Sequence, residues 1–281
     1  MQQFNTMAMI TNKLFSVPLF VFFTTIFVML VSSVNSLDSL SFSFTEFELD
    51  EQDLIFQGDA HLKSLWPFIG NVLQLTKTDG QGAPQKNTIG RVLYSAPIRL
   101  WEKSTGKVSN FETHMGFELK NPSSKPGDGF AFFIAPIKST IPENTKGGYL
   151  GLFNDTTAFN SSATTPIVAV EFDTYFYDAW DPNYPHIGIN VNSINSSAHV
   201  KWNREAEETL DIDIKYDPHG RNLSVIAYGF DGVYAVSYNV DLQNVLPEWV
   251  RVGITAASGD DGVEVHNVYS WDFSSHLESI E

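Results

Sequence analysis

Apolar and polar residues alternate along several short stretches of this chain, and this period of two restricts its fold more than any other feature. The stretches Leu40–Phe44, Leu210–Ile214 and Val236–Val240 each place their apolar side chains on one face of an extended strand. Other runs, Phe130–Ala135 and Ile167–Val170, are almost wholly apolar and suit central strands buried on both faces. No segment of any length has a helical period. The sequence therefore predicts an all-β protein.

Turn-forming residues separate these stretches at short intervals. The clusters are Asp79–Gly82, Asn121–Gly127, Lys146–Gly148, Asp217–Gly220 and Ser258–Gly262. Many strands joined by short, turn-rich links predict a β-sandwich or jelly roll. No repeat, low-complexity run or linker interrupts residues 37–281, so they are predicted to form one domain. A domain of that size buries enough surface without disulfides, which fits the absence of cysteine.

Residues 1–36 are predicted to be a signal peptide. Lys13 precedes the uncharged apolar stretch Leu14–Val31, and Val34–Ser36 supplies small residues of the kind found at cleavage sites. A membrane anchor is the alternative, because the stretch approaches the length that spans a bilayer. Pro18 and the N-terminal placement favour cleavage, so the mature chain is expected to begin near Leu37. No second apolar run approaches that length, so the mature chain is expected to have no membrane span.

Charge and glycosylation motifs point to the same secretory route, with an extracellular or vacuolar destination. The net charge is −16 at pH 7, and the leader contains only one charge, Lys13, so its removal leaves −16 − 1 = −17. Such an excess argues against nucleic acid as a partner and suggests that some carboxylates hold cations. Four N-glycosylation motifs, of which some but not all are expected to be occupied, begin at Asn154, Asn160, Asn195 and Asn222.

The densest polar cluster extends from Glu171 to His186. Glu171 and Asp173 are two apart on a predicted strand, so both carboxylates project from one face. Asp181 and His186 follow in a Pro-rich loop that could fold back over that face. Carboxylates this close repel unless a cation neutralises them, and an imidazole among oxygen ligands suits manganese or another transition metal, while oxygens alone suit calcium. The alternative is that these are ordinary solvated charges at a strand end.

A series of longer motifs runs in order along the whole mature chain. They are Phe47–Asp59, Gly90–Ile98 with Trp101, Gly127–Pro136, Gly147–Asn154, Val168–Thr174, His186–Ser193, Leu246–Gly253 and Ser270–Phe273. In this order they resemble the legume lectins. The resemblance implies a flattened jelly roll of two large antiparallel sheets that binds glycans beside a calcium and a manganese ion. It also implies a homo-oligomer, with a homodimer expected.

The resemblance assigns metal and sugar roles to individual residues. Manganese would contact four side chains directly and a fifth through water, in the order Glu171, Asp173, Asp181, His186 and Ser196. Asp173 and Asp181 would bridge to calcium, which also takes the backbone carbonyl of Tyr175. In the sugar site, Asp128 would accept hydrogen bonds from hydroxyls, the Gly148 N–H would point at the sugar, and the Tyr175 ring would stack on it.

Two positions depart from the family's pattern. Gly127 replaces the usual Ala that a cis peptide bond joins to Asp128. Tyr177 replaces an Asn that serves both as a calcium ligand and as an amide donor to the sugar. A phenol is a poor calcium ligand, and the neighbouring Asp178 could ligate but donates no hydrogen bond when ionised. Manganese is therefore expected to bind better than calcium, and monosaccharide binding is expected to be weakened or shifted.

Three classes of function remain to be compared. The favoured one is a lectin with altered specificity. The second is a lectin-like defence or storage glycoprotein that has lost sugar binding, similar to the arcelins and α-amylase inhibitors of the same family. The third is a glycosidase of the laminarinase type, whose Glu-x-Asp-x-x-Glu motif begins here with Glu171 and Asp173. Phe176 stands at the second Glu, which leaves no general acid, so the chain is not expected to be an enzyme.

Overall fold

A computed structural model describes residues 38–280, apart from residues 66, 68, 69, 122–124, 146, 160–164, 178 and 206. The predicted signal peptide, Asn160 and Asp178 lie outside the described residues. The boundary near Leu37 therefore stays a prediction. Within the described part of the chain, no helix combines the length and apolar character that crossing a bilayer requires.

The described residues form sixteen strands, one short α-helix and one 3₁₀ turn. The strands are β1 Ser39–Phe44, β2 Leu54–Gly58, β3 His61–Ser64, β4 Asn71–Gln74, β5 Thr88–Tyr94, β6 Ile98–Arg99, β7 Val108–Lys120, β8 Gly129–Pro136, β9 Val168–Asp173, β10 His186–Val191, β11 Ala198–Lys201, β12 Glu207–Asp217, β13 Asn222–Gly229, β14 Gly232–Asn239, β15 Trp249–Ser258 and β16 Val265–Glu278. The 3₁₀ turn is Gly147–Tyr149, and the helix, α1, is Leu242–Val245. The prediction of an all-β fold is confirmed for the described residues.

Two eight-stranded antiparallel sheets carry these strands. The first has the order β14-β13-β12-β7-β16-β4-β3, with β1 also paired to β16. The second has the order β11-β10-β9-β8-β15-β5-β2, with β6 also paired to β15. Strand neighbours are mostly distant in sequence, as in a jelly roll, and the predicted two-sheet fold is confirmed.

Alternating strands of the first sheet bury one face. In β12, Leu210, Ile212 and Ile214 are buried while Asp211 and Lys215 are exposed. These apolar side chains belong to the main core, which also contains Phe130, Phe132 and Phe172 of the second sheet. The period of two therefore arises because one face packs in the core and the other meets water.

The centre of the second sheet is buried on both faces. Phe130 and Phe132 of β8 belong to the main core, whereas Phe133 belongs to a second apolar cluster. That second cluster also contains residues of the segment between β8 and β9, among them Leu150 and Phe153. This double burial explains why Phe130–Ala135 is continuously apolar rather than alternating.

Adjacent strands of the second sheet bring the predicted site residues to one edge. Because β8, β9 and β10 are antiparallel neighbours, the start of β8 and the start of β10 both lie beside the end of β9. Asp173 is accordingly paired with Gly129 on one side and with His186 on the other. The fold thus gathers residues that are more than fifty positions apart in sequence.

Candidate functional site

Five of the residues predicted to hold metal lie together at this edge. Asp173, Asp181 and His186 each offer a ligand atom, and these three atoms lie within 4.8 Å of one another. Glu171 Oε1 is 3.2 Å from His186 Nε2, and the Ser196 hydroxyl donates to the same Glu171 oxygen. Glu171, Asp173, Asp181 and His186 are called the carboxylate–histidine cluster below.

The cluster concentrates negative charge in a buried place. Burial raises the pKa of Asp173 well above its usual value, and the neighbouring Asp181 and Glu171 raise it further. Burial likewise raises the pKa of Asp181 to about 7. Burial by itself lowers the pKa of His186, but its contact with Glu171 outweighs that effect and leaves the pKa above its ordinary value. All three shifts favour the protonated forms of these side chains.

The side chains present fit a divalent cation. Asp173 Oδ1 and His186 Nδ1 are buried and have no hydrogen-bond partner among the described residues. Buried polar atoms without partners are uncommon, because each costs free energy. Carboxylate oxygens with one imidazole form a donor set that transition metals accept, and a cation would remove the repulsion between the carboxylates.

Asp128 is fixed through its backbone between β15 and the end of β9. Its N–H donates to Ala257 O at 2.8 Å, and its carbonyl oxygen accepts from Thr174 N at 3.0 Å and Tyr175 N at 3.2 Å. The peptide bond between Gly127 and Asp128 is cis. A Cβ added to Gly127 would lie 3.0 Å from both Gly262 Cα and Tyr175 Cβ, and φ is +152°, so glycine suits this position.

Tyr177 contacts two groups that are predicted to bind sugar, the side chain of Asp128 and the backbone of Gly148. Its hydroxyl donates to Asp128 Oδ1 at 2.7 Å. Its ring covers Gly148 so closely that a Cβ there would collide with it. Burial, with the charge of Asp128, raises the pKa of the Tyr177 phenol, so it remains a donor. Burial raises the pKa of Asp128 to about 7, although the Tyr177 hydrogen bond opposes the shift.

Aromatic contacts hold the Tyr177 ring in this position. It stacks on Trp180 with ring centroids 4.8 Å apart and planes 20° apart, and Trp180 stacks on Tyr149 at 5.5 Å and 23°. Tyr175 meets Tyr177 edge-on at 5.1 Å. The Tyr177 N–H also donates to Asp181 Oδ2 at 2.8 Å, so one loop joins the predicted sugar and metal positions.

A buried ion pair next to Asp128 was not predicted from the sequence. Arg204 Nη1 lies 2.5 Å from Glu264 Oε1, and the two side chains are 6% and 0% exposed. The Thr174 hydroxyl bridges this pair to the site, since Thr174 Oγ1 is 2.6 Å from Glu264 Oε2 and 3.0 Å from Asp128 O. Isolated charged residues sixty positions apart carry no local pattern. Glu264 stands between Val263 and Val265 at the start of β16, and this placement was the one signal in the sequence.

The glycosylation motifs have different surroundings. Asn154 Nδ2 donates to Glu143 O at 3.0 Å, and Asn154 Oδ1 accepts from Thr157 N at 3.1 Å, so this side chain caps its own turn. Asn195 is exposed, and Asn222 is half-buried at the start of β13. Their occupancy remains a prediction.

Comparisons with known proteins agree with this geometry. A family model described as the legume lectin domain matches residues 39–281. The chain is 52% identical over 244 residues to a mannose/glucose-specific lectin of Centrolobium tomentosum, covering 85% of this chain and 97% of the relative. It is 47% identical over 279 residues to agglutinin-2 of Cladrastis kentukea, covering 98% of this chain and 94% of that one. The metal-free form of lectin I-B4 from Griffonia simplicifolia matches with a TM-score of 0.77 at 41% identity, covering 85% of this chain and 100% of that chain.

The fold and these matches define a class of jelly-roll proteins that bind carbohydrate and are not catalytic. The chain belongs to the legume lectin family. Members of this family bind calcium and a transition metal, and the described residues include a group that can hold such an ion.

Proposed function

We propose that this lectin binds glycans at the sheet edge around Asp128 and that a metal ion in the carboxylate–histidine cluster supports the site. One observation carries the proposal. The N–H groups of Thr174 and Tyr175 both donate to Asp128 O, and these residues directly follow Asp173 in the chain. An ion held by Asp173 would therefore fix the strand end on which the Asp128 backbone rests.

A transition metal is expected to bind more tightly than calcium. Manganese would be held by the four side chains of the cluster, with Ser196 beside them. Calcium would share Asp173 and Asp181 and take the Tyr175 carbonyl, but Tyr177 supplies no amide oxygen. When bound, the ions supply positive charge that keeps the carboxylates ionised. Elemental analysis of dialysed protein tests this order, and retention of calcium without manganese would reverse it.

Monosaccharide binding is expected to be weak because Tyr177 already uses Asp128. A sugar hydroxyl that approaches Asp128 Oδ1 must replace the Tyr177 hydrogen bond, which is 2.7 Å long. A hydrogen bond of this kind contributes about 1 kcal/mol net, so this exchange costs roughly five- to tenfold in affinity. The relative named as mannose/glucose-specific makes mannose the first simple sugar to examine.

Replacing Tyr177→Asn tests this explanation. The variant is expected to bind methyl α-mannoside in a metal-dependent manner, measured by calorimetry with and without chelator. Leu49→Asn, at an exposed side chain in the segment between β1 and β2, is the control and should bind as the parent does. If the Tyr177 variant holds both metals yet binds no monosaccharide, the loop rather than this residue disables the site.

A defence or storage protein without sugar binding is the alternative, and one observation favours it. The Tyr177 hydroxyl satisfies Asp128 while its ring is stacked on Trp180, so the site is closed by the protein itself. A glycan array separates the two functions. Metal-dependent retention of any glycan supports the lectin, whereas no retention by metal-loaded parent protein supports the alternative.

We also infer that the protein is a secreted or vacuolar glycoprotein that forms a homodimer. Relatives include a seed lectin of Styphnolobium japonicum. Exposed apolar side chains on β13 and β14, Ile226, Tyr228 and Val233, offer a surface that a second copy can cover. Light scattering that gives only a monomer mass would refute the dimer. N-terminal sequencing and N-glycanase treatment test cleavage near Leu37 and the occupancy of the four motifs.

A further inference from the structure

Arg91 of β5 is a fully buried cation in the second sheet. The residue is 0% exposed and forms no ion pair with any residue that the structure describes. Burial lowers the pKa of Arg91 to about 9, so the guanidinium still carries its charge at neutral pH. It lies over the Phe133 ring, 4.3 Å from the ring centroid. Because burying a charge without a counterion costs free energy, the polar contacts of Arg91 must offset that cost.

The guanidinium binds two separate points of the segment between β8 and β9. Arg91 Nη1 donates to Thr140 O at 2.8 Å and to Gly151 O at 3.2 Å, and Nη2 donates to Ser139 Oγ at 3.0 Å. Both carbonyl oxygens therefore bind the same nitrogen, although they lie at the two ends of residues 140–151. These residues, called the 140–151 loop below, form a closed loop whose ends meet at Arg91.

The C-terminal end of the loop packs tightly against the second sheet. The Thr255 hydroxyl of β15 donates to Leu150 O at 2.6 Å. Leu150 has a φ of +50° and Gly151 a φ of +67°, and a leucine keeps such a left-handed conformation only where its surroundings hold it. A Cβ added to Gly151 would lie 2.8 Å from Ile89 Cγ2. The contacts of Arg91 and Thr255, with this close approach, therefore fix where the loop end lies.

The fixed end continues directly into the backbone that is predicted to meet the sugar. The 3₁₀ turn Gly147–Tyr149 precedes Leu150, whose N–H donates to the first carbonyl oxygen of the turn at 2.9 Å. The Leu152 N–H donates to the last carbonyl oxygen of the turn at 2.8 Å. The turn is thus bonded to residues on both sides of Gly151, so the direction of the Gly148 N–H depends on where Gly151 lies.

We propose that Arg91 is a positioning residue for glycan recognition, which closes the 140–151 loop and so orients the Gly148 N–H. Arg91 is buried and acts without contacting the sugar. A guanidinium suits this role because its rigid planar fork supplies several donors, whereas a lysine ammonium is a single nitrogen. A loop that is correctly placed for only part of the time lowers the apparent affinity by that fraction. This inference rests on the proposed glycan binding and adds to it a residue outside the sugar site.

The experiment compares variants of the full-length, metal-loaded protein on one glycan array. Arg91→Met removes the donors and keeps a long side chain, and Arg91→Lys keeps the cation on one nitrogen. Arg251→Met is the matched control, because Arg251 of β15 also donates to two backbone carbonyl oxygens, Ser95 O at 3.1 Å and Ile137 O at 2.6 Å, both outside the loop. Thermal unfolding and elemental analysis verify that each variant folds and holds metal.

Amide hydrogen exchange distinguishes positioning from a general loss of stability. Arg91→Met is expected to speed exchange of the Leu150 and Leu152 amides about tenfold or more, because hydrogen bonds to a charged group that closed the loop are lost. Exchange in β12 of the other sheet should change far less, whereas a general loss of stability would speed exchange in both sheets. Arg251→Met should leave the loop amides at the parent rate.

Arg91→Met is expected to bind the glycans about tenfold more weakly than Arg251→Met, and Arg91→Lys about three- to tenfold more weakly. If Arg91→Met binds as the control does, or binds weakly without faster exchange in the loop, the positioning role is wrong and glycan binding stands. Should Arg91→Met not fold, the same comparison applies to Arg91→Lys. A parent protein that retains no glycan would refute both the proposed function and this inference.

Discussion

Two groups of buried carboxylates are connected to the backbone carbonyl of Asp128, and their charges are balanced differently. Glu264 is paired with Arg204 and reaches Asp128 O through the Thr174 hydroxyl. The carboxylate–histidine cluster reaches the same oxygen through the chain that follows Asp173. Its strongest charged neighbours are other carboxylates and His186. The chain thus neutralises one group internally and leaves the other to an external cation.

This difference indicates that the charge balance of the Glu264–Arg204 pair is permanent, whereas that of the carboxylate–histidine cluster depends on a bound cation. A buried carboxylate that is paired with a guanidinium of the same chain needs no ion from solution to balance its charge. The charge of the carboxylate–histidine cluster, by contrast, changes with metal concentration and pH. The two groups act on the same carbonyl, so the Asp128 backbone is held partly by the fold and partly by whatever the cluster binds.

The largest expected effect on the free energy of unfolding comes from breaking the Glu264–Arg204 pair. Glu264→Ala leaves Arg204 buried without its partner, and breaking a buried pair in this way costs about 3–5 kcal/mol of unfolding free energy. Urea unfolding measures the loss, with Lys215→Ala as control, because the Lys215–Glu112 pair is exposed and contributes little. A loss below about 1 kcal/mol for Glu264→Ala would remove the distinction between the two groups.

The next effect concerns the cluster. Dialysis against chelator should lower the stability of the parent protein by about 2.7 kcal/mol relative to protein at a metal concentration one hundred times the dissociation constant. Manganese should restore it, as followed by thermal unfolding. Glu264→Ala should remain sensitive to metal, because its pair lies outside the cluster. Identical unfolding midpoints with and without metal would contradict an external cation at this place.

A smaller effect is expected from pH in the metal-free protein. The folded-state pKa values of Asp173 and Asp181 are raised, Asp181 to about 7, above their value of about 3.9 in the unfolded chain. The folded state therefore binds more protons, and stability falls as pH rises from about 4 to about 7. His186, with a raised pKa, acts in the same direction.

Metal-free protein should accordingly be about 1–2 kcal/mol more stable at pH 5 than at pH 8. Denaturant titrations at the two values measure the difference. Asp181→Asn should reduce it, and bound manganese should abolish or reverse it. A metal-free protein that is more stable at pH 8 would refute the charge arrangement described here.

Contacts between residues that lie close together along the chain could be predicted from the sequence, whereas contacts between distant loops could not. The period of two and the turn clusters predicted the strands, and the spacing from Glu171 to His186 predicted the cluster because β9 and β10 are consecutive. The Glu264–Arg204 pair and the hydrogen bond from Tyr177 to Asp128 were not predicted. Both depend on loops meeting across the sheet edge, which no local pattern encodes.

The smallest expected effect on the free energy of unfolding comes from the hydrogen bond between Tyr177 and Asp128. Tyr177→Phe keeps the ring stack but removes the donor to Asp128 Oδ1, at a cost of about 1 kcal/mol. Chemical unfolding compared with Tyr238→Phe, at a half-buried tyrosine of β14 outside the site, provides the measurement. A cost similar to that of Glu264→Ala would mean that Tyr177 is a structural residue and not a removable cover.

The stack of Tyr149, Trp180 and Tyr177 also has an optical consequence. Rings held rigidly at 4.8 and 5.5 Å in a chiral setting contribute to the near-ultraviolet circular dichroism, a signal that is lost when tertiary packing loosens. Because Tyr177 is tied to Asp128 on one side and to the Asp181 loop on the other, movement of either partner changes the angle between the chromophores. The protein therefore carries its own spectroscopic reporter at the proposed sugar-binding edge, and titrations with metal or glycan can be followed without a label.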